Sequence, residues 1–111
     1  MFLRASRDIE WVKRNGRRFS TNLFNILSCT MNHSVSRVGI VVGKRFGGAV
    51  QRNRAKRIFR ELVRDLYQDL IPGQAFLVFP KREALLQPFG ELKRTWETSL
   101  RRHHLLRMRA N

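Results

Sequence analysis

The feature that most constrains the fold is an amphipathic run from residue 49 to about residue 70. Gly47-Gly48 interrupts the chain before this run, and Pro72-Gly73 ends it. Its apolar side chains recur at helical spacing and share one face. They are Ala55, Ile58, Phe59, Leu62, Val63, Leu66 and Leu70. The run therefore predicts a long helix whose apolar face is buried against another layer.

Three shorter segments have strand character. Residues 19 to 31 alternate between two sets of side chains, and residues 36 to 43 (SRVGIVVG) and 74 to 79 (QAFLVF) are apolar on both faces. Apolarity on both faces predicts central strands for the last two. The first two segments are separated by turn residues, Asn32 to Ser34, and are predicted to form a hairpin.

Two further helices complete the prediction. Ser6 to Asn15 has Ser6 as its expected N-cap and Gly16 as its stop, and the last helix runs from Phe89 to about Leu106. The expected core stripe of the last helix is Phe89, Leu92, Trp96, Leu100 and His103. The order α-β-β-α-β-α predicts one domain, residues 1–111, of the α+β class. Its helices pack on one sheet in a two-layer α-β sandwich, with the long helix as the crossover between strands two and three.

The charge of the chain points to a polyanionic partner. Its 23 Lys and Arg outnumber 8 Asp and Glu, which gives a net charge of +15. From Trp11 through Arg60 there is no acid, although twelve Lys or Arg lie in that stretch. A surface built only for solubility would mix both signs. The distribution therefore indicates a continuous positive field of the kind that binds nucleic-acid phosphates, and it does not separate RNA from DNA.

The strongest concentration of charge lies on the predicted long helix. Asn53, Arg57, Arg60 and Arg64 fall within about 60° of one another, opposite the apolar face. Arginine suits phosphate binding because its planar fork makes two parallel hydrogen bonds. The full set of predicted binding residues is Lys44, Arg45, Arg52, Asn53, Arg54, Lys56, Arg57, Arg60 and Arg64. Glu61 and Asp65 could pair with arginines of this face at helical spacing. These pairs would reduce the positive charge at the C-terminal end of the face only slightly.

The run GKRFGGAVQRNRAKRIFRE resembles the signature of the bacterial ribonuclease P protein family. In that signature a strand ends in paired basic residues, a glycine turn follows, and a helix opens with Arg-Asn-Arg. Arg52, Asn53, Arg54, Lys56, Arg57, Arg60 and Glu61 match it residue for residue. The likeness extends over nearly the whole chain, through LRASRDIEWV, RVGIVVGKR, AFLVFP and the segment from Trp96 to His103.

The resemblance implies a function and a set of partners. The family protein binds a catalytic RNA through its Arg-Asn-Arg helix, and that RNA removes the 5′ leader of precursor tRNA with Mg²⁺. The protein is an accessory subunit of the endonuclease and contributes no catalytic residue, metal ligand or cofactor. The resemblance also implies a left-handed crossover around the long helix, against the general right-handed rule. The expected partners are the catalytic RNA and precursor tRNA, without DNA or membrane.

A leader-binding cleft between the first helix and the sheet is also implied by the resemblance. Its family positions often carry aromatics, whereas this chain has Ile9, Lys13 and Leu27 there. Many members also have Asn where Gly48 stands. Trp11, Phe19 or Phe24 could stack on bases instead, although core packing is the favoured interpretation of all three. Lys13 could supply a phosphate contact.

Other functions are less well supported. The acids show no clustered spacing for a protein-centred metal nuclease, and Cys29 with His33 falls short of the ligands that zinc needs. His103-His104 is interpreted as a helix C-terminal pair favoured by the dipole. The single cysteine and the lack of a long apolar run predict a cytoplasmic protein. A structural ribosomal or nucleoid protein remains the alternative, because it fits the size and charge equally well.

Overall fold

A four-stranded mixed sheet and three helices make up the part of the chain that the computed structural model describes, residues 1–3, 5–31 and 35–107. The α+β class predicted from the sequence is confirmed. The elements in chain order are α1 (Ser6–Asn15), β1 (Arg17–Ser20), β2 (Phe24–Thr30), β3 (Arg37–Ile40), α2 (Ala49–Leu66), β4 (Gln74–Pro80) and α3 (Phe89–Arg102).

The strand order in the sheet is β1-β2-β4-β3. β4 pairs antiparallel with β2 and parallel with β3, so it lies in the centre, as predicted. The predicted hairpin between residues 19–31 and 36–43 is wrong, because β4 separates these two strands. β3 is also not central. The N-terminal segment covers its outer edge, where Leu3 N–H donates to the Val38 carbonyl at 2.8 Å, and this explains why an edge strand is apolar.

The segment predicted as one strand, residues 19 to 31, is two strands joined by a tight turn. The Thr21 hydroxyl accepts the backbone N–H groups of Leu23 and Phe24 at 3.1 and 3.0 Å, and this reverses the chain. β1 and β2 then pair antiparallel, with Phe19 opposite Ile26. The order is therefore α-β-β-β-α-β-α, with one strand more than predicted.

One face of the sheet packs against α2 and α3. Phe24 of β2, Phe59 of α2 and Trp96 of α3 meet edge to face, with ring centroids 5.4 to 6.3 Å apart. Phe24 and Phe59 have no exposed surface. These rings join the sheet to both helices, and they form the centre of the larger core.

α1 packs on the opposite face of the sheet. Val12 is fully buried there in a second apolar cluster with Leu3, Ala75 and Leu77. Successive residues of β4 point to opposite faces, so Phe76 and Val78 belong to the larger core and Ala75 and Leu77 to this cluster. The two-layer sandwich of the sheet with α2 and α3 thus carries a further helix on its other side.

The helix ends differ from prediction in three places. The N-cap of α1 is Ala5, and Ser6 is already helical. α2 ends at Leu66 and continues as a 3₁₀ turn, and α3 ends at Arg102 rather than near Leu106. Phe89 is 46% exposed and His103 is exposed, so neither belongs to the core stripe. Leu105 and Leu106 are buried instead, after the helix has ended.

The chain between β3 and β4 passes through α2 and joins two parallel strands. The left-handed sense of this β3-α2-β4 crossover stays a prediction. None of the helices within the described residues has the length and apolarity required to cross a lipid bilayer.

The ring contacts of Phe59 give a stability test. Phe59→Ala removes a fully buried ring, and we expect it to lower the free energy of unfolding by about 3–5 kcal/mol. Phe89→Ala is the matched control, because the ring of Phe89 is half exposed and its loss should change stability by less than about 1 kcal/mol. Equal losses in urea unfolding of the two variants would contradict this packing.

Candidate nucleic-acid interface

The predicted basic face of α2 forms one side of an open groove. Because the apolar side chains of the helix face the sheet, its polar face is exposed to solvent. The groove has a volume of about 390 Å³ and is lined by Asn53, Lys56, Arg57, Arg60 and Arg64. We call these five residues the basic stripe. The structure therefore brings together the four residues that the helical wheel grouped, with Lys56 beside them.

The acids near the basic stripe leave most of it uncompensated. Glu61 approaches Arg64 at 3.9 Å, an exposed pair of the kind expected from the sequence. Asp65, which was expected to pair with an arginine of this face, instead accepts a hydrogen bond from Lys93 of α3 at 2.5 Å. This hydrogen bond and the charge of Asp65 raise the pKa of Lys93. Asp65 therefore ties α2 to α3 and is directed away from the stripe.

Arg52 has a structural contact at the start of α2. Its Nη1 donates to the Gly47 carbonyl at 3.0 Å, and the side chain is partly buried. Gly47 has a φ of 157°, a backbone conformation that residues with a side chain rarely adopt, and a Cβ there would also meet the side chain of Gln51. The turn thus requires glycine, and Arg52 holds it against the helix. A Cβ at Gly48 would meet nothing within 4 Å, so this position has room for a side chain.

The other predicted residues surround the N-terminal part of the stripe. Lys44 and Arg45 are exposed in a 3₁₀ turn that directly precedes α2. Arg54 is exposed but lies about 100° around the helix from Asn53, beside the stripe rather than in it. The predicted set is therefore a stripe with flanking charges and, in Arg52, one residue that also anchors the turn.

The stripe continues toward the outer edge of β3. Arg60 and Arg64 also line a second cavity, of about 300 Å³, with Phe2, Val38 and Ile40. The guanidinium carbon of Arg64 lies 5.8 Å from the centre of the Phe2 ring, within cation–π range. This contact positions Arg64 at the end of the groove.

The predicted leader cleft lies on the sheet face that carries α1. Ile9 and Leu27 are half-buried against the same apolar cluster as Val12. Lys13, one turn after Ile9, is exposed and 3.7 Å from Glu10. The structure brings Ile9 and Leu27 together and leaves the Lys13 ammonium at the solvent-exposed margin.

Two residues on that sheet face were missed in the sequence analysis. Phe79 of β4 is half-buried against the cluster, and it pairs directly with Asn25 of β2. The side-chain oxygen of Asn25 is buried and accepts no hydrogen bond from the described residues. Both share the face of Leu27, so the period of two along β2 and β4 was the signal that could have identified them.

The three aromatics named as possible stacking residues have different surroundings. Phe24 is wholly buried in the larger core, which confirms the core packing favoured from the sequence. Trp11 is 51% exposed beside Arg14 and Met31, so core packing is the wrong interpretation for this residue. Phe19 is half-buried and stacks on the His103 ring, with centroids 3.7 Å apart.

His103 is the C-cap of α3 and His104 follows it, as expected for a pair at the C-terminus of a helix. Desolvation of the His103 ring is the largest cause that lowers its pKa. The positive charges of Arg102, Arg17 and His104 lower it further. A helix C-terminus would act in the opposite direction. His103 therefore reports a positive environment at the end of α3.

The metal-ligand alternative can be examined only in part. Cys29 is half-buried at the end of β2, and His33 lies outside the described residues. Within residues 1–3, 5–31 and 35–107, no three His, Cys, Asp or Glu side chains lie close enough together to hold a metal ion.

The chain is similar to ribonuclease P proteins in sequence and in structure. The ribonuclease P family model matches residues 1–104. The ribonuclease P protein component of Chloroflexus aurantiacus is 37% identical over 106 residues, which cover 94% of this chain and 78% of the relative. The ribonuclease P protein component of Roseiflexus sp. is 33% identical over 105 residues, which cover 94% of this chain and 86% of the relative. The structure of the RNase P protein from Thermotoga maritima superposes with a TM-score of 0.82 at 27% identity, covering 92% of this chain and 96% of that one.

His103 also makes stability depend on pH. Because its pKa is lowered in the folded protein, the unfolded chain takes up the proton first as the pH falls. The stabilising effect of His103 on the free energy of unfolding is complete above pH about 6.5 and decreases below that pH. We expect urea unfolding of the protein to show a steeper loss of stability between pH 7.5 and 5.5 than that of His103→Asn. The same pH dependence in both proteins would contradict the assignment.

Proposed function

The chain belongs to the ribonuclease P protein family, and we propose that it binds a catalytic RNA that removes the 5′ leader of precursor tRNA. The observation that carries the proposal is the basic stripe, in which Asn53 and four cations line one groove. From Asn53 to Arg64 the stripe extends over about 16 Å at 1.5 Å per residue, which is long enough to meet several phosphates.

The stripe is the proposed docking surface for the catalytic RNA. Arg57 and Arg60 are exposed on the face opposite the core, and Arg64 is positioned by Phe2. Their forks can each make two hydrogen bonds to a phosphate, and the Asn53 amide can donate or accept beside them. Lys44, Arg45 and Arg54 extend the positive field on either side. Arg52 contributes chiefly by fixing the turn through which the chain enters α2.

The half-covered face of the sheet is the proposed binding site of the 5′ leader. Ile9, Leu27 and Phe79 supply apolar surface, and Lys13 supplies a charge at its margin. Stacking of a base on an aromatic ring contributes about 1–3 kcal/mol, and Phe79 is a half-buried aromatic residue on this face. Asn25 adds a side-chain acceptor that lacks a partner among the described residues.

The protein's share of the reaction is binding and charge neutralisation. Mg²⁺ held by the RNA supplies the hydrolytic chemistry, and we assign no catalytic role to a side chain. Positive charge beside the RNA lowers phosphate repulsion between the catalyst and its substrate. The protein thereby raises substrate affinity and strengthens productive metal binding by the RNA.

Reconstitution tests this function directly. We expect the full-length protein, expressed in its own host, to retain one structured RNA in a pull-down. Mixing that RNA with the protein should restore cleavage of precursor tRNA in low Mg²⁺, where the RNA alone is inactive. Retention of ribosomal RNA or bulk DNA, without cleavage, would instead favour a structural ribosomal or nucleoid protein.

Salt dependence tests the docking surface. Arg57→Ala combined with Arg60→Ala should reduce the slope of log affinity for the catalytic RNA against log salt by about 1 to 2, because each phosphate contact contributes about 0.7–0.9. Arg82→Ala with Arg94→Ala is the matched control. It removes the same charge from exposed positions outside the stripe. An equal slope in the two variants, with unfolding unchanged, would exclude the stripe as the docking surface.

A further inference from the structure

A second basic cavity lies at the sheet edge opposite β3. β1 begins at Arg17, opposite Ser28, so Cys29 and Thr30 of β2 extend beyond the strand that would cover them. Across this gap lies the end of α3, where the chain turns at His104 with a φ of 60°. The resulting cavity, which we call the edge pocket, has a volume of about 630 Å³.

The edge pocket is lined by basic side chains from two separate elements. Arg17 and Arg18 come from β1, and Arg102, His103 and His104 come from the end of α3. Among its described lining residues there is no Asp or Glu. Desolvation is the largest cause that lowers the pKa of His103, and Arg102, Arg17 and His104 lower it further, as expected beside several basic side chains.

Neutral groups of the pocket are also suited to an anion. Ser28 and Thr30 present hydroxyl groups, and the Gln74 amide lies within hydrogen-bond distance of the Thr30 hydroxyl at 3.2 Å. Stacking on Phe19 fixes the His103 ring at the wall of the pocket.

The end of α3 would repel an anion if its carbonyls faced the pocket unbonded. These carbonyls accept hydrogen bonds from backbone N–H groups of the turn. His103 N–H donates to the Ser99 carbonyl at 3.2 Å. The N–H groups of His104 and Leu105 donate to the carbonyls of Arg101 and Leu100 at 3.1 and 2.9 Å, respectively. The unfavourable end of the helix dipole is thereby partly satisfied, and the side-chain cations determine the local field.

We infer that the edge pocket binds a phosphodiester group of an RNA strand, held by the guanidinium groups of Arg17 and Arg102. Two arginines from different elements can hold one phosphate from two sides. The pocket is separate from the basic stripe, because three strand spacings of about 4.8 Å separate β1 from the β3 edge. The inference deepens the proposed function and rests on it, since the strand belongs either to the catalytic RNA or to precursor tRNA.

Cys29 provides a reporter for this site. It is the only cysteine of the chain, it is partly exposed and it lines the edge pocket. We expect bound RNA to slow alkylation of this thiol at least about tenfold in the full-length protein, and Arg17→Ala with Arg102→Ala to abolish the protection. Protection by the catalytic RNA alone identifies that RNA as the ligand. Protection that appears only after precursor tRNA is added identifies the substrate, provided that Arg17→Ala with Arg102→Ala abolishes it, because Cys29 also packs against the apolar cluster of the proposed leader site.

The second measurement is the slope of log affinity for RNA against log salt. Arg17→Ala with Arg102→Ala should lower this slope by about 1 to 2 for the RNA that protects Cys29. The control Arg82→Ala with Arg94→Ala removes equal charge outside the pocket and should leave the protection intact. The inference that the edge pocket binds RNA is wrong if neither RNA slows the alkylation of Cys29. It is also wrong if the Arg17 and Arg102 variant has the same slope of log affinity against log salt as the control variant. The proposed function fails separately, if the unaltered protein retains no single structured RNA and restores no cleavage of precursor tRNA.

Discussion

The edge-to-face contacts among Phe24, Phe59 and Trp96 determine how α2 lies on the sheet. The apolar and basic faces of α2 are opposite sides of one rigid helix, so the burial of Phe59 also sets the direction in which Arg57 and Arg60 point. A rotation of α2 by one residue, about 100°, would bring arginine toward the core. The geometry of the basic stripe therefore depends on the packing of these three rings.

The positive charge opposes the fold that displays it. A net charge of +15 on 111 residues repels itself, and the acid-free stretch concentrates that repulsion around the N-terminal half of α2. The nearest acids do little to reduce it. Glu61 makes one long contact with Arg64, and Asp65 is directed to Lys93 on α3. Core burial offsets the repulsion in the free protein, and a bound polyanion would relieve it. Folding and RNA binding should therefore stabilise each other.

Much of α2 and its surface could be predicted from the sequence, because helical periodicity alone places Phe59 inside and Arg60 outside. Strand pairing could not, because it depends on contacts between distant segments. The insertion of β4 between β2 and β3 is not encoded in the turn residues between them. The turn at Thr21 was missed for a local reason: alternating side chains continue on both of its sides, so no break in period marks it. The period of two along β4 could have placed Phe79 on the face of Leu77, but only the position of α1 determines that this part of the face stays open.

The two faces of β4 show why the proposed leader site is only partly covered. Phe76 and Val78 point into the larger core, whereas Leu77 and Phe79 point to the other face. α1 is ten residues long, about 15 Å, and it buries Leu77 through Val12 while leaving Phe79 half exposed. Full burial of Phe79 by another element would stabilise the protein, but it would close the surface on which a base could stack. The apolar area left open beside α1 is thus a loss of stability that is consistent with single-stranded RNA binding at this face.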